Sequence, residues 1–185
     1  MDLPPTALRP FTTLSTTTEL TTRIFRVDRM RRRSTMKATD HDYWRLVTPD
    51  WVNVVPVTRR GELVLVRQER HGIEANTLEI PGGMIDPGET PAAAALREML
   101  EETGYRGETA EPLGALHPNP AIQGNRLHVF LARDVVKVGE PKPDSREEVE
   151  VVTVPITQAR ALVRSGAITH ALVVCALYLL ESQGA

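Results

Sequence analysis

The chain has 185 residues, with 22 Lys and Arg against 24 Asp and Glu, a net charge of −2 at neutral pH and 41% hydrophobic residues. That length carries one domain with a full core and excludes two comfortable ones, and the balanced charge excludes a global attraction to nucleic acid or to an anionic membrane. One cysteine, Cys175, excludes an internal disulfide, no apolar run reaches the roughly 18 residues that a bilayer span needs, and the first residues lack signal-peptide character, so a cytoplasmic protein is expected, with Cys175 in its core.

Residues 1–21, with TTLSTTTELTT as their most biased piece, predict a flexible arm ahead of a single domain over 22–185. Ile24, Phe25 and Val27 open a strand that runs into Arg29, Arg31, Arg32 and Arg33. Those four cations read as an exposed basic strand, as a phosphate contact or as an oligomer interface. Tyr43, Trp44 and Trp51 follow. A tryptophan normally serves packing, but a nucleobase also needs a flat apolar partner, so both uses stay open. VNVVPV and ELVLVRQER predict two strands around a turn at Arg60 and Gly61. In the second, Val64, Val66, Gln68 and Arg70 alternate with Leu63, Leu65, Arg67 and Glu69, so one face ends in Arg70 and the other in Glu69.

The stretch PGGMIDPGETPAAAALREMLEETGY is a glycine loop feeding a helix. Thr90 suits an N-cap, Pro91 the first helical position and Gly104 a left-handed C-terminal residue, which predicts a helix over 91–103. Leu96, Met99, Leu100 and Thr103 follow the spacing of a buried stripe. Glu98, Glu101 and Glu102 fall at i, i+3 and i+4 on another side, where like charges repel by roughly 0.2–0.5 kcal/mol per pair. A hard divalent cation reverses the sign of that cost, and magnesium or manganese fits oxygen ligands best. The plain alternative is a solvated acidic helix face.

From Gly83 there are five residues to Glu89 and seven more to Arg97, followed by REMLEETGY. This resembles the Nudix box, G-x5-E-x7-R-E-U-x-E-E-x-G-U with U bulky and apolar, at every fixed position; Tyr105 stands where an aliphatic residue is commoner. The resemblance implies metal binding by Glu98, Glu101 and Glu102, with the Gly82 carbonyl as a further ligand. It also implies a structural ion pair of Arg97 with Glu89, beside Gly83.

Arg67 to Arg70, followed by TLEIPGG, resembles the ADP-ribose pyrophosphatase group of this family, in which the last arginine faces the diphosphate; a surface ion pair is the alternative for Arg70. Glu79 is read as contacting Arg70 or the metal shell, or as a strand-end carboxylate satisfied by backbone donors. Pro120, fifteen residues past Tyr105, matches a proline that marks the same group. His117 and His128 have no second histidine or cysteine spaced to complete a metal set. RLHVFLARDV and VEVVTV predict strands, with the polar loop VKVGEPKPDSREE between them. A short helix over 157–165 and a last one over 169–180 follow, the latter with a stripe of Leu172, Cys175, Ala176 and Leu179.

The likeness covers residues 23–181 and implies an α/β/α sandwich with a mixed sheet. It further implies hydrolysis of a nucleoside diphosphate sugar, with ADP-ribose giving AMP and ribose 5-phosphate. Dimerisation through the strand region 22–50 is expected, with Trp44 or Trp51 against the base. Other nucleotide-sugar hydrolases and nucleoside triphosphate pyrophosphatases use the same box. A non-catalytic nucleotide sensor would be expected to have lost box carboxylates, and nucleic-acid binding through Arg29 to Arg33 is weakened by the net charge. With the box acids drawn toward metal, the water's proton needs another acceptor. In related hydrolases it is a glutamate in the loop before a late strand, which here makes Glu147 the first choice, Glu148 the second, and Glu140, Asp144 or a box acid such as Glu101 the remainder.

Overall fold

The computed structural model describes residues 5–144 and 148–184, which fall into two compact units, 1–48 with 119–125 and 49–118 with 126–185.

The first unit is an antiparallel sheet of β1 (Thr12–Thr21), β2 (Arg26–Arg33) and β3 (Asp40–Val47), in that order. The segment expected as an arm is thus a strand over residues 12–21. Its threonines are β-branched and suit a pleated surface, while all ten residues stay exposed, so no apolar alternation announces it. The basic strand is balanced by its neighbours: Arg33 pairs with Asp40 at 2.7 Å, Arg31 with Asp42 at 3.3 Å and Arg29 with Glu19 at 2.9 Å. Asp28, only 2% exposed, collects Arg26, Arg45 and Thr18, and these contacts pull its carboxyl down to about 2, the Arg26 hydrogen bond most of all. Trp44 is 52% exposed and donates its indole N–H to Glu19 at 2.7 Å. Pro120 lies in a turn, and Ile122 two residues on accepts from the Leu46 N–H.

The second unit is built on β4 (Trp51–Thr58), β5 (Glu62–Arg70), β6 (Ala75–Glu79), β7 (Gly82–Met84), β8 (Tyr105–Arg106), β9 (Glu111–Leu116), β10 (Leu127–Lys137) and β11 (Val149–Pro155), with helices α1 (Pro91–Thr103), α2 (Ala159–Arg164) and α3 (Ala171–Ser182). The sheet runs β11-β5-β4-β10-β8, with β6 on β5, β7 on β4 and β9 on β10. β4 and β10 are parallel and the other pairs antiparallel, so the sheet is mixed.

Period-2 alternation divides its side chains between two cores. Val52, Val54, Val64, Phe130 and Ala132 pack with Ala94, Ala95 and Met99 of α1. Val55, Leu63, Leu65, Leu127, Val129 and Leu131 pack with Val173, Ala176, Leu177 and Leu180 of α3. This is the α/β/α sandwich.

Two details depart from the expected stripes. On α1 the buried side is Ala94, Ala95, Met99, Glu102 and Thr103, while Leu96 and Leu100 are only half-buried. On α3 the buried residues are Val173, Ala176, Leu177 and Leu180, and Cys175 is exposed. That helix is apolar on nearly every side, so periodicity could not choose the inward face.

Candidate active site

The loop and the helix are fixed by their ends. The Thr90 hydroxyl accepts from Ala93 N, Pro91 opens α1, and Gly104 closes it at φ 71, donating to Leu100 O. On the loop side, Gly82 and Gly83 pair in β7 with Asn53 and Val52 of β4. Close backbone approach forces Gly82, where a Cβ would lie 2.2 Å from Val52 O, whereas a Cβ on Gly83 would lie 2.4 Å from Glu98 Oε1, the end of a side chain. The Glu98 carboxylate therefore rests against the loop backbone. Glu102, 3% exposed, reaches the same loop and accepts from Gly82 N at 3.1 Å.

Arg97 ties the remaining acids together. Its Nε and Nη2 donate to the two Glu89 oxygens at 3.0 and 2.9 Å, and Nη2 also donates to Met84 O at 3.2 Å. Nη1 donates to Glu98 at 2.9 Å and to Glu101 at 3.2 Å. Hydrogen bonding from Arg97 holds the Glu89 carboxyl below its ordinary range, while Glu89 raises the Arg97 guanidinium above its own. The expected Arg97–Glu89 pair is thus part of a larger network.

Across the β5–β6 hairpin, Arg70 grips Glu79 through both carboxylate oxygens, Nε to Oε1 and Nη2 to Oε2, each at 2.7 Å. Thr77 Oγ1 donates to Oε1, and Glu79 is buried beneath the half-exposed arginine. Burial pulls the Glu79 carboxyl upward, but the Arg70 and Thr77 hydrogen bonds and the charge of Arg70 outweigh it and hold the group below its ordinary range. The contact with Arg70 expected for Glu79 is formed.

His170 is the residue that sequence reasoning missed. It caps α3, its Nδ1 accepting from Leu172 N at 3.2 Å, and its Nε2 lies 3.9 Å from Glu79 Oε2. The helix was expected to start at Thr169, which left His170 inside it; its position just before the apolar run was the available signal.

Trp51 is half-buried against the α3 core, in the same unit as the box, whereas Trp44 and Pro120 belong to the first unit. His128 is engaged by Asp50 at 2.9 Å. Glu148 is exposed immediately before β11, and Glu147 lies outside the described residues. The loop that carries them is tied at its start to the end of α1: Val138 N and Gly139 N donate to Gly104 O, and Lys142 N donates to Glu101 O at 2.6 Å.

The donor set of Glu98, Glu101, Glu102 and the Gly82 carbonyl is all oxygen, with Glu98 and Glu102 against the loop and Glu101 joined to Glu98 through Arg97, and such a set fits a hard divalent cation. Among the described residues these groups do not form a ready-made cluster, and Arg97 Nη1 is shared by Glu98 and Glu101.

A mixed sheet between helices, with a glycine loop leading into one helix and three glutamates in the second half of that helix, defines a Nudix fold and box. The NUDIX domain model matches residues 47–176, and the chain belongs to that family as a Nudix hydrolase. An ADP-ribose pyrophosphatase of Bacillus subtilis (strain 168) is 35% identical over 134 residues, 72% of each chain. An ADP-sugar pyrophosphatase of Mus musculus is 40% identical over 115 residues, 57% of this chain and 53% of that one. A crystal structure of an ADP compounds hydrolase matches with a TM-score of 0.84 at 26% identity, covering 97% of this chain and 96% of the other. Nudix hydrolases generally need divalent metal ions.

Proposed function

We propose that the chain hydrolyses the diphosphate of ADP-ribose to AMP and ribose 5-phosphate, with magnesium or manganese held by Glu98, Glu101, Glu102 and the Gly82 carbonyl. The placement of Glu98 and Glu102 against the Gly82–Gly83 loop, with Glu101 joined to Glu98 through Arg97, carries the reading. When bound, the cation neutralises the diphosphate and lowers the pKa of the attacking water. Water adds to one phosphorus, the bridging P–O bond breaks, and the other phosphate leaves with its sugar.

The protein's own groups divide the remaining work. Arg70, oriented by Glu79, holds charge that develops on the diphosphate. Glu147 takes the proton of the water, with Glu148 and then Glu101 as the alternatives. Trp51 or Trp44 stacks on the base, and Pro120 shapes the loop near the substrate. Glu89, Gly83 and Arg97 keep loop and helix in register. The completeness of the box speaks against a non-catalytic sensor.

The same reading makes the protein a cytoplasmic homodimer that uses neither nucleic acid nor membrane. The lone cysteine supports a reducing compartment, and the exposed strand β1, beside region 22–50, supplies an edge for a second copy. Light scattering at micromolar concentration gives twice the mass of the chain; a fully active monomer overturns this assembly. ADP-ribose, other nucleotide sugars, dinucleoside polyphosphates and nucleoside triphosphates, assayed side by side with products identified, test the substrate. Turnover confined to triphosphates would overturn it.

A further inference from the structure

We infer that His170 is a positioning residue for Arg70, acting through the buried carboxylate of Glu79. The inference rests on the reading that Arg70 holds the substrate's diphosphate. Three observations carry it, all within the second unit. First, His170 Nδ1 accepts from Leu172 N, so this nitrogen carries no proton and the neutral ring bears its N–H on Nε2. The capping bond also fixes the ring on a helix end packed into the α3 core.

Second, that Nε2 lies 3.9 Å from Glu79 Oε2. The separation exceeds a hydrogen bond, yet Glu79 is only 2% exposed, and at such a site a nearby N–H dipole acts far more strongly than in water. Third, the two Glu79 oxygens are unequally served. Oε1 receives Arg70 Nε and Thr77 Oγ1, whereas Oε2 receives Arg70 Nη2 and faces His170. The threonine hydrogen-bonds one oxygen, and the histidine presents its N–H dipole to the other at longer range. A carboxylate bonded by Thr77 at one oxygen and faced by the His170 N–H at the other sets the plane of the fork that it binds, and through that fork the direction of the Arg70 guanidinium.

Capping and positioning are separable by substitution. Asn caps helices well but its amide is too short to reach Glu79, so His170→Asn keeps the melting temperature and raises KM for ADP-ribose several-fold with a smaller change in kcat. Gln caps poorly but brings a donor back toward Oε2, so His170→Gln lowers the melting temperature and recovers most of the KM. As a readout independent of turnover, the Arg70 Nε resonance in a ¹⁵N spectrum shifts or broadens in His170→Asn and less so in His170→Gln. Arg70→Lys is measured alongside. If it raises KM while His170→Asn leaves both KM and the Arg70 resonance unchanged, the inference falls and the role of Arg70 stands. If Arg70→Lys leaves KM unchanged, the role of Arg70 fails and the inference with it. If KM tracks the melting temperature across both histidine variants, His170 is structural only.

Discussion

Glu102 reaches from α1 to the glycine loop and accepts the Gly82 N–H at 3.1 Å, although its side chain is almost wholly buried. A buried carboxylate facing a backbone donor is held in place and stays charged only with compensation nearby. Glu102→Gln keeps an acceptor for Gly82 N but removes the charge a cation needs, and Glu98→Gln does the same beside Gly83. Turnover in each variant should fall by orders of magnitude while circular dichroism and melting temperature stay close to those of the parent. Near-parental turnover of both at saturating magnesium would remove these residues from the metal site.

The two glycines make a sharper comparison. On Gly83 an added methyl meets the far end of the Glu98 side chain, which can swing away, whereas on Gly82 it meets the backbone of Val52. Gly83→Ala should fold normally and require more magnesium for half-maximal activity, and Gly82→Ala should lose stability first. Titrating both variants with magnesium, with thermal melts in parallel, distinguishes the two outcomes; equal losses of stability would contradict the contacts described.

The box was legible because its caps, its glycines and its acids stand within one short stretch, and local rules place each of them. The ion pair of Glu89 with Arg97 came with the resemblance, but the further bonds of Arg97 to Glu98 and Glu101 depend on side-chain directions that spacing alone does not fix. Strand β1 went unread because its ten exposed residues give hydrophobic periodicity nothing to register. Cys175 was misplaced for the opposite reason, since a helix apolar all round has no distinctive face. His170 acquires its meaning only when the end of α3 meets the β6 carboxylate, a contact between residues far apart in the chain.

Acid stability follows from Asp28. Its carboxyl is pulled down to about 2, first by the Arg26 hydrogen bond, against 3.8 for the unperturbed group. As pH falls below 3.8 the unfolded chain takes up this proton before the native one does, so the stability that Asp28 contributes is present above that pH and is lost on the way to about 2. Urea midpoints measured from pH 5 to pH 2 should decline more steeply for the parent than for Asp28→Asn, which starts lower and lacks this component. Parallel curves would show that the Asp28 contacts add nothing in solution.

The proton acceptor is tested by pairing two variants. Glu147→Gln should reduce kcat far more than it alters KM, because the loss is felt in the transition state, while Glu148→Gln should be the milder change. Full turnover in both at neutral pH would return the role to a box acid, with Glu101 the first to replace.

The parallel pairing of β4 with β10 bears on how the chain is made. β5 reaches β4 through a short connection, but β10 must return across everything between Thr58 and Leu127, at a loop-closure cost that is met before its hydrogen bonds form. During synthesis the complete box leaves the ribosome ahead of the strand that covers its helix. The apolar side of α1 at Ala95 and Met99 then waits for Phe130 and Ala132 to arrive. That interval is when a nascent chain of this family is most exposed to misassociation, and when a holding chaperone has something to grasp.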